Sequence, residues 1–474
     1  MKSKTVYKYL GKVLIGFSIT FIFPMIVSIV YHEHIYPFLI PLIITLLLGI
    51  ILNYTFKKRS NLYAKEGFII VALSWIMISI LSAIPYMLNY HLSFFDAFFE
   101  SASGLSTTGA SILTNVEELD KSLLFWRSFT HFLGGMGVLA FVMAIIPLSK
   151  KDKSMHLLKA EMPGPSVAKL VPSLKKTLLY LYGIYIGLTL TEFILLLIGK
   201  TPIFDSILIS FGTAGTGGFS LLNSSLATYT NFSKWIVAIF MLLFGVNFNI
   251  YFLLLIRDFK NALKSEELRT YIIIYLIATS FIVLNTYKMF DNLNEAILSG
   301  AFHISSFMTS TGYSIGDVNI YPSSCRILVL LLMLVSACAG STCGGFKMSR
   351  LIICFKKIKR DLTKLIHPNM VKEITFEGKR VDDDTINSTT SFLLLYVVFL
   401  ILIMFIISFD PLNLNLSEIV NATFTTFANV GLCFDITNFH AFSDLSKFVL
   451  SIGMLLGRLE LFPLIVLITN INKS

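Results

Sequence analysis

Ten apolar stretches, each near the length a helix needs to cross a bilayer, dominate this 474-residue chain. They lie near 12–31, 37–55, 68–89, 123–148, 175–198, 234–256, 270–287, 326–355, 390–409 and 447–469. The run near 326–355 is longer than one span needs, and a Gly-rich stretch breaks it. Only 14% of residues are charged, where a soluble domain carries about 25%. A soluble enzyme, a disordered chain and a secreted disulfide scaffold are therefore excluded. The 5 cysteines are an odd number without a CxxC pair, which argues against a disulfide framework or a zinc site. No small-residue cleavage site follows the first apolar run before Pro24, so that run is read as a retained first membrane helix.

Basic residues orient the spans. With the N-terminus cytoplasmic, 30 of the 38 Lys and Arg fall on the cytoplasmic side, as the positive-inside rule requires. Both termini are then cytoplasmic, and the net charge of +10 is a matter of topology. Nucleic acid is not an expected partner, because the basic clusters sit at helix ends without interleaved aromatics. The lipid bilayer is.

Four connections on the opposite side are long and partly apolar: FFDAFFESASGLSTTGAS, IFDSILISFGTAGTGGFS, NEAILSGAFHISSFMTSTGYS and LSEIVNATFTTFANVGLC. Each starts with an acid (Asp96, Asp205, Glu295, Glu418) and ends in a glycine (Gly109, Gly218, Gly312, Gly431). The acid-to-glycine spacing is 13, 13, 17 and 13, the outlier being one helical turn longer. The predicted unit is span, re-entrant half-helix, Gly loop, span. The predicted fold is an all-α polytopic membrane protein with four such repeats around one ion pore: 68–174, 175–269, 270–385 with an intramembrane loop, and 386–474. Residues 1–67 form an extra N-terminal pair.

An acid at the start of a short helix complements its positive end. The negative end then points into the membrane, where four converging ends stabilise a cation. Irregular backbone is tolerated at that depth only when it lines a water-filled path or is buried in protein. Glycine supplies the positive φ that turns carbonyls toward a common axis.

These loops resemble those of the superfamily of K⁺ transporters that contains the Trk, Ktr and HKT proteins. FWRSFTHFLGGMGVLAFVMAIIPL, AEMPGPS, LLLMLVSACAGSTCGGFKMSR and MLLGRLELFPLIVL narrow the resemblance to the TrkH family, membrane subunits of bacterial potassium uptake systems. The resemblance implies that K⁺ is the transported ion, in the bacterial cytoplasmic membrane. It also implies a homodimer, a TrkA-like cytosolic nucleotide-binding ring as partner, and no cofactor bound by this chain. It implies a filter strand from each repeat: Ser106-Thr107-Thr108-Gly109, Gly215-Thr216-Gly217-Gly218, Thr309-Ser310-Thr311-Gly312 and Ala428-Asn429-Val430-Gly431. The second strand has two adjacent glycines, so a slip of one residue is open. Gly218 is aligned because Gly-Phe there mirrors Gly-Tyr at 312–313. Short and unequal strands imply weaker K⁺ over Na⁺ discrimination than in K⁺ channels.

The resemblance further implies an intramembrane gate at Gly340, Ser341, Thr342, Cys343, Gly344 and Gly345, preceded by Ala339. Five small residues followed by two glycines hold a straight helix poorly, although small residues also suit close helix packing. Cys343 stands where the family usually has Gly and is expected to narrow or stiffen the loop. A phosphate loop fails, since Phe346 rather than Lys follows the glycines. Arg458 lies within an apolar span and is a costly charge there; the resemblance makes it a positive barrier below the filter, the alternative being a pair with Glu460. Other polar groups receive structural readings. His32-Glu33-His34 is expected to be solvated, Arg127 and His131 to be interfacial anchors, Glu192 to make a local hydrogen bond, and Asp382-Asp383-Asp384 to be solvated. The ten basic residues between 347 and 380 are either a docking site for the ring or plain positive-inside anchors.

A membrane transferase is the main rival, but the acids are dispersed rather than clustered for acid–base or metal chemistry. An organic-solute transporter would show paired inverted halves. The chain is therefore not read as an enzyme. Without an ATP-hydrolysis motif, transport must draw on an ion gradient or the membrane potential.

Overall fold

The computed structural model describes residues 3–56, 64–137, 174–370, 373–436, 438–459 and 461–471. Residues 138–148 of the fourth apolar run, the AEMPGPS stretch and Glu460 lie outside them. Helices make up nearly all the regular structure. The first pair comprises α1 (Ser3–Ser18), which continues through a 3-10 turn into α2 (Ile22–Val30), and α3 (Tyr36–Thr55). Then come α4 (Ala64–Asn89), α5 (Phe94–Leu105) and α6 (Lys121–Met136); α7 (Leu174–Ile198), α8 (Ile203–Gly215), α9 (Asn231–Phe244), α10 (Phe248–Leu255) and α11 (Phe259–Lys264) follow. The remainder is α12 (Glu266–Thr286), α13 (Leu293–Met308), α14 (Ser323–Leu334), α15 (Met348–Ile366), the hairpin β1 (Thr375–Phe376) and β2 (Lys379–Arg380), α16 (Asp383–Ile407), α17 (Leu416–Phe427), α18 (Asp444–Arg458) and α19 (Phe462–Ile471).

The order long helix, short helix, loop, second helix occurs four times: α4–α5–α6, α7–α8–α9, α12–α13–α14 and α16–α17–α18. The short helices have 12, 13, 16 and 12 residues, so the extra turn foreseen in the third is present at its start. Each carries its acid in its first turn. Ser93 caps α5 by accepting the Asp96 N–H, and Asn415 with Glu418 forms a reciprocal capping box on α17. Although too short to span, they are rich in Ser, Thr, Ala and Gly. They can therefore be buried against neighbours on almost every side, as in α5, whose last nine residues are all buried.

Six helices among the described residues are long and apolar enough to cross a membrane. Among the described residues, the apolar runs that follow the four loops are not single long helices. Here α6, α9, α14 and α18 have only 16, 14, 12 and 15 residues. At about 1.5 Å per residue they fall short of the roughly 30 Å hydrocarbon core. The apolar run 234–256 is in fact two helices, α9 and α10, bent by 93°. The physical cause is Asn247, whose side chain accepts the Asn249 N–H and starts a new helix inside the apolar run. The break in 326–355 extends over 335–347, wider than its glycines alone suggested.

The N-terminal pair joins at a close approach: a Cβ on Gly11 would lie 2.7 Å from the Gly49 carbonyl oxygen. The pair docks through Phe17, Phe21 and Phe38 around Trp126 of α6. His32 and His34 are exposed, but Glu33 accepts the backbone N–H groups of Lys121 and Ser122 and so caps α6.

Candidate functional site

The short helices α5, α8, α13 and α17 end in the same way. Thr107, Ser310 and Asn429, two residues past their helix ends, and Thr216, directly after α8, stand in the left-handed region, with φ of 57, 53, 58 and 55°. The following N–H, of Thr108, Gly217, Thr311 or Val430, donates to the carbonyl five residues back, at 2.8–2.9 Å. This is a Schellman closure, built four times without glycine at the left-handed position. For Thr that conformation costs about 1–3 kcal/mol. One residue further on stand Gly109, Gly218, Gly312 and Gly431. Thr216 lies two residues before Gly218, as Thr107 does before Gly109, so Gly218 and Gly109 hold equivalent places after their turns.

These glycines close a ring. A Cβ on Gly109 would meet the Gly218 nitrogen at 2.6 Å, one on Gly218 the Thr311 carbonyl at 2.6 Å, one on Gly312 the Val430 carbonyl at 2.0 Å, and one on Gly431 the Thr108 carbonyl at 2.2 Å. Each strand thus abuts the next in chain order, and the fourth abuts the first. Three of the glycines also have φ of 80–81°. The sequence places Thr107, Thr108, Thr216, Gly217, Ser310, Thr311, Asn429 and Val430 on these strands, and the fold brings all of them together, buried.

The support behind the strands differs between repeats. Six residues before the glycine, the hydroxyls of Ser103, Ser306 and Thr425 donate to the carbonyls of Ala110, Tyr313 and Leu432 at 2.6–2.8 Å. The second repeat has Gly212 there and no hydroxyl. Its Phe219 carbonyl instead accepts from the Tyr313 hydroxyl of the third repeat at 3.4 Å, in the space a Cβ on Gly212 would fill. Hydroxyl pairs brace strands one and three, Ser106 with Thr108 and Thr309 with Thr311, both at 2.7 Å. Strands two and four carry Gly215 with Gly217 and Ala428 with Val430 instead. Nine residues before the glycine, Glu100 accepts the Ile112 N–H at 3.1 Å and His303 accepts the Ile315 N–H at 3.3 Å. Ile209 and Ala422 hold those places in the other two repeats.

Arg127 and His131 are not interfacial anchors. Both are buried behind the first two strands. The Arg127 guanidinium pairs with Glu100 at 2.9 Å, donates to the Ser220 carbonyl at 3.2 Å and lies 4.2 Å from the Phe219 ring. His131 donates from Nδ1 to the Gly104 carbonyl at 2.8 Å and accepts the Phe219 N–H at Nε2, 3.2 Å away. A carbonyl can only accept and an N–H only donate, so the ring is neutral with its proton on Nδ1. Sequence reasoning assigned these residues by their distance from the helix start, and only the tertiary fold shows what they face.

The 335–347 segment lies against the ring. Gly344 N–H donates to the Ser310 hydroxyl at 3.0 Å, the Thr216 hydroxyl donates to the Thr342 carbonyl at 3.0 Å, and a Cβ on Gly344 would press on Asn429 at 2.7 Å. Gly340 and Gly345 have φ of 69° and 73°. Ser341 donates to the Cys338 carbonyl at 2.6 Å, and Lys347 donates to the Cys343 carbonyl. The buried Cys343 side chain packs with Met308 and Met348 in a small apolar cluster. The Arg458 guanidinium donates to the Thr342 carbonyl at 2.7 Å and to the Gly134 and Gly135 carbonyls at the end of α6. Glu192 is fully buried. Its carboxylate lies beside the Thr213 hydroxyl, the one local partner within its reach among the described residues, which also donates to the Ile209 carbonyl at 3.0 Å. Asp382 precedes α16 as its N-terminal cap residue and accepts the Thr385 hydroxyl at 2.9 Å.

A family model described as a cation transport protein, TrkH, matches residues 34–474. Trk system potassium uptake protein TrkG of Escherichia coli K12 is 33% identical over 466 residues, covering 96% of this chain and 95% of that protein. Trk system potassium uptake protein TrkH of Salmonella typhimurium is 32% identical, covering 99% of each. The crystal structure of the potassium transporter TrkH from Vibrio parahaemolyticus superposes with a TM-score of 0.88 at 26% identity, covering 98% of each chain. With a buried ring of four glycine strands, the same helix order and a family match over nearly its whole length, this chain belongs to the TrkH family of cation transport proteins.

Proposed function

We propose that this chain takes up K⁺ across the bacterial cytoplasmic membrane through a filter formed by the four strands at 106–109, 215–218, 309–312 and 428–431. Backbone carbonyls of these strands replace the water shell of the ion. The observation that carries this reading is the closed ring: four strands, each turned by a left-handed residue, meet in chain order at four glycines. The C-terminal ends of α5, α8, α13 and α17 lead straight into it, so their negative poles face the same region. The loop 339–345 is the gate beneath the filter, and Arg458 holds it as a fixed positive charge in the cation path. The basic side of the chain faces the cytoplasm, where a TrkA-like nucleotide-binding ring controls the gate. The functional unit is a homodimer.

The test is Rb⁺ and Na⁺ flux into liposomes for Gly109→Ser, Gly218→Ser, Gly312→Ser and Gly431→Ser. Each added Cβ meets neighbouring backbone, so the preference for Rb⁺ should fall before total flux does. Four folded variants with an unchanged selectivity ratio would exclude these strands as the filter.

A further inference from the structure

Glu267, at the start of α12, has no counterpart in the sequence motifs and no place in the filter. It is 3% exposed. One of its carboxylate oxygens accepts two backbone N–H groups, that of Ala339 at 2.7 Å and that of Ser349 at 3.0 Å. These donors flank the 340–345 loop on its two sides, one just before the glycines and one in the first turn of α15. The other oxygen faces the Asn247 amide, 3.5 Å away, at the bend between α9 and α10. The same bend holds the loop directly, since Cys338 N–H donates to the Gly245 carbonyl at 3.0 Å and Phe248 N–H to the Gly340 carbonyl at 3.1 Å. A single carboxylate thus ties both ends of the loop to one helix terminus. Negative charge at a helix N-terminus is itself favoured.

That terminus is held in turn from the hairpin between α15 and α16. Glu377, at the hairpin tip with φ of 52°, accepts the Ser265 hydroxyl at 2.8 Å and the Glu267 N–H at 3.0 Å through one oxygen. Ser265 is the N-cap of α12, accepting the Leu268 N–H. The hairpin tip therefore lies one backbone group away from the carboxylate that grips the loop.

We propose that Glu267 is the positioning residue of the 335–347 segment, and that the 375–380 hairpin sets its position through Glu377. This deepens the gate reading above and rests on it for its bearing on transport. Moving the hairpin tip shifts the first turn of α12, and with it the two N–H groups that close the loop.

The loop carries its own reporters, Cys338 and Cys343, which are 0% and 2% exposed. The experiment uses the full chain in lipid nanodiscs with Cys325, Cys354 and Cys433 replaced by Ser, and measures the rate of reaction with a charged methanethiosulfonate. Glu267→Ala strands two buried N–H groups and should raise the rate by about tenfold or more. Glu267→Gln keeps a carbonyl oxygen for both N–H groups and should stay near the parent rate. Glu377→Ala should raise the rate less, and the double Ala variant should react no faster than Glu267→Ala alone. A folded, monodisperse Glu267→Ala protein that reacts within about twofold of the parent overturns the proposal. So does a Gln variant as fast as Ala, or a double variant whose effects multiply. Rb⁺ flux on the same samples tests the gate separately: faster labelling with unchanged flux would keep Glu267 as the positioning residue and remove the gate.

Discussion

Tyr313 does for the second strand what Ser103, Ser306 and Thr425 do for their own. Tyr313→Phe removes that donor and leaves the buried Phe219 carbonyl without its hydroxyl, at a cost of about 1–3 kcal/mol. The expected result is a severalfold loss of Rb⁺ over Na⁺ selectivity with fold and yield retained, read from paired flux assays. Ser306→Ala should act similarly on the third strand, and wild-type selectivity in both would show that these hydroxyls do not shape the filter. Arg458 gives a second prediction. Its guanidinium reaches carbonyls on two separate segments, whereas a Lys ammonium presents one point charge. If charge alone retards the ion, Arg458→Lys conducts like wild type and Arg458→Gln conducts more. If the bridge from Thr342 to Gly135 matters, both variants leak, and single-channel conductance beside basal flux separates the two cases. The four glycines were readable in the sequence because adjacent backbones leave no space there for a side chain. The left-handed Thr and Ser before them were not, since nothing in those residue types announces a positive φ; only Asn429 is of a type that favours it. The alternative of an Arg458–Glu460 pair falls on a residue outside the described ones.

At the scale of elements, the distinguishing feature is that α6, α9, α14 and α18 stop short at the level where the strands and the loop meet. Deleting Gly340–Gly345 removes contacts to Ser310, Thr216 and Arg458 while leaving the ring contacts in place. Basal Rb⁺ flux should rise without any partner protein, with selectivity kept; unchanged flux in folded protein would assign the segment to packing. Apolar run length made every one of these helices look continuous apart from the third. The bend at Asn247 was legible in principle as a capping residue inside an apolar run, but a lone Asn there is just as compatible with an interhelical hydrogen bond. The short helices α5, α8, α13 and α17 were clear because an acid, a dozen helix-forming residues and a glycine recur at fixed spacing.

Over the whole molecule, a backbone of fourfold order carries side chains of twofold order. Strands one and three, which sit across the ring from each other, have hydroxyl pairs and a buried acceptor at Glu100 or His303; strands two and four have neither. The Glu100–Arg127 pair is buried on both sides, at 0% and 2% exposed. Breaking one side of such a pair costs about 3–5 kcal/mol because the other charge is left uncompensated. Glu100→Gln should therefore lower folded yield and thermal midpoint more than the matching change at His303, as measured by size-exclusion profiles and thermal unfolding in detergent. No spacing rule linked Glu100 to Arg127, because their meeting depends on how α5 packs against α6.

The hydroxyl that Tyr313 lends across the seam also limits how such a ring can be rearranged. It occupies the space above Gly212, within 2.0 Å of where a Cβ would stand. A graft of the second quarter bearing Ala or Ser at 212 would collide with the tyrosine ring of the third. A graft of the third without the tyrosine would leave an empty pocket and an orphaned carbonyl in the second. Quarters of this molecule are therefore interchangeable with those of relatives only when positions 212 and 313 travel together.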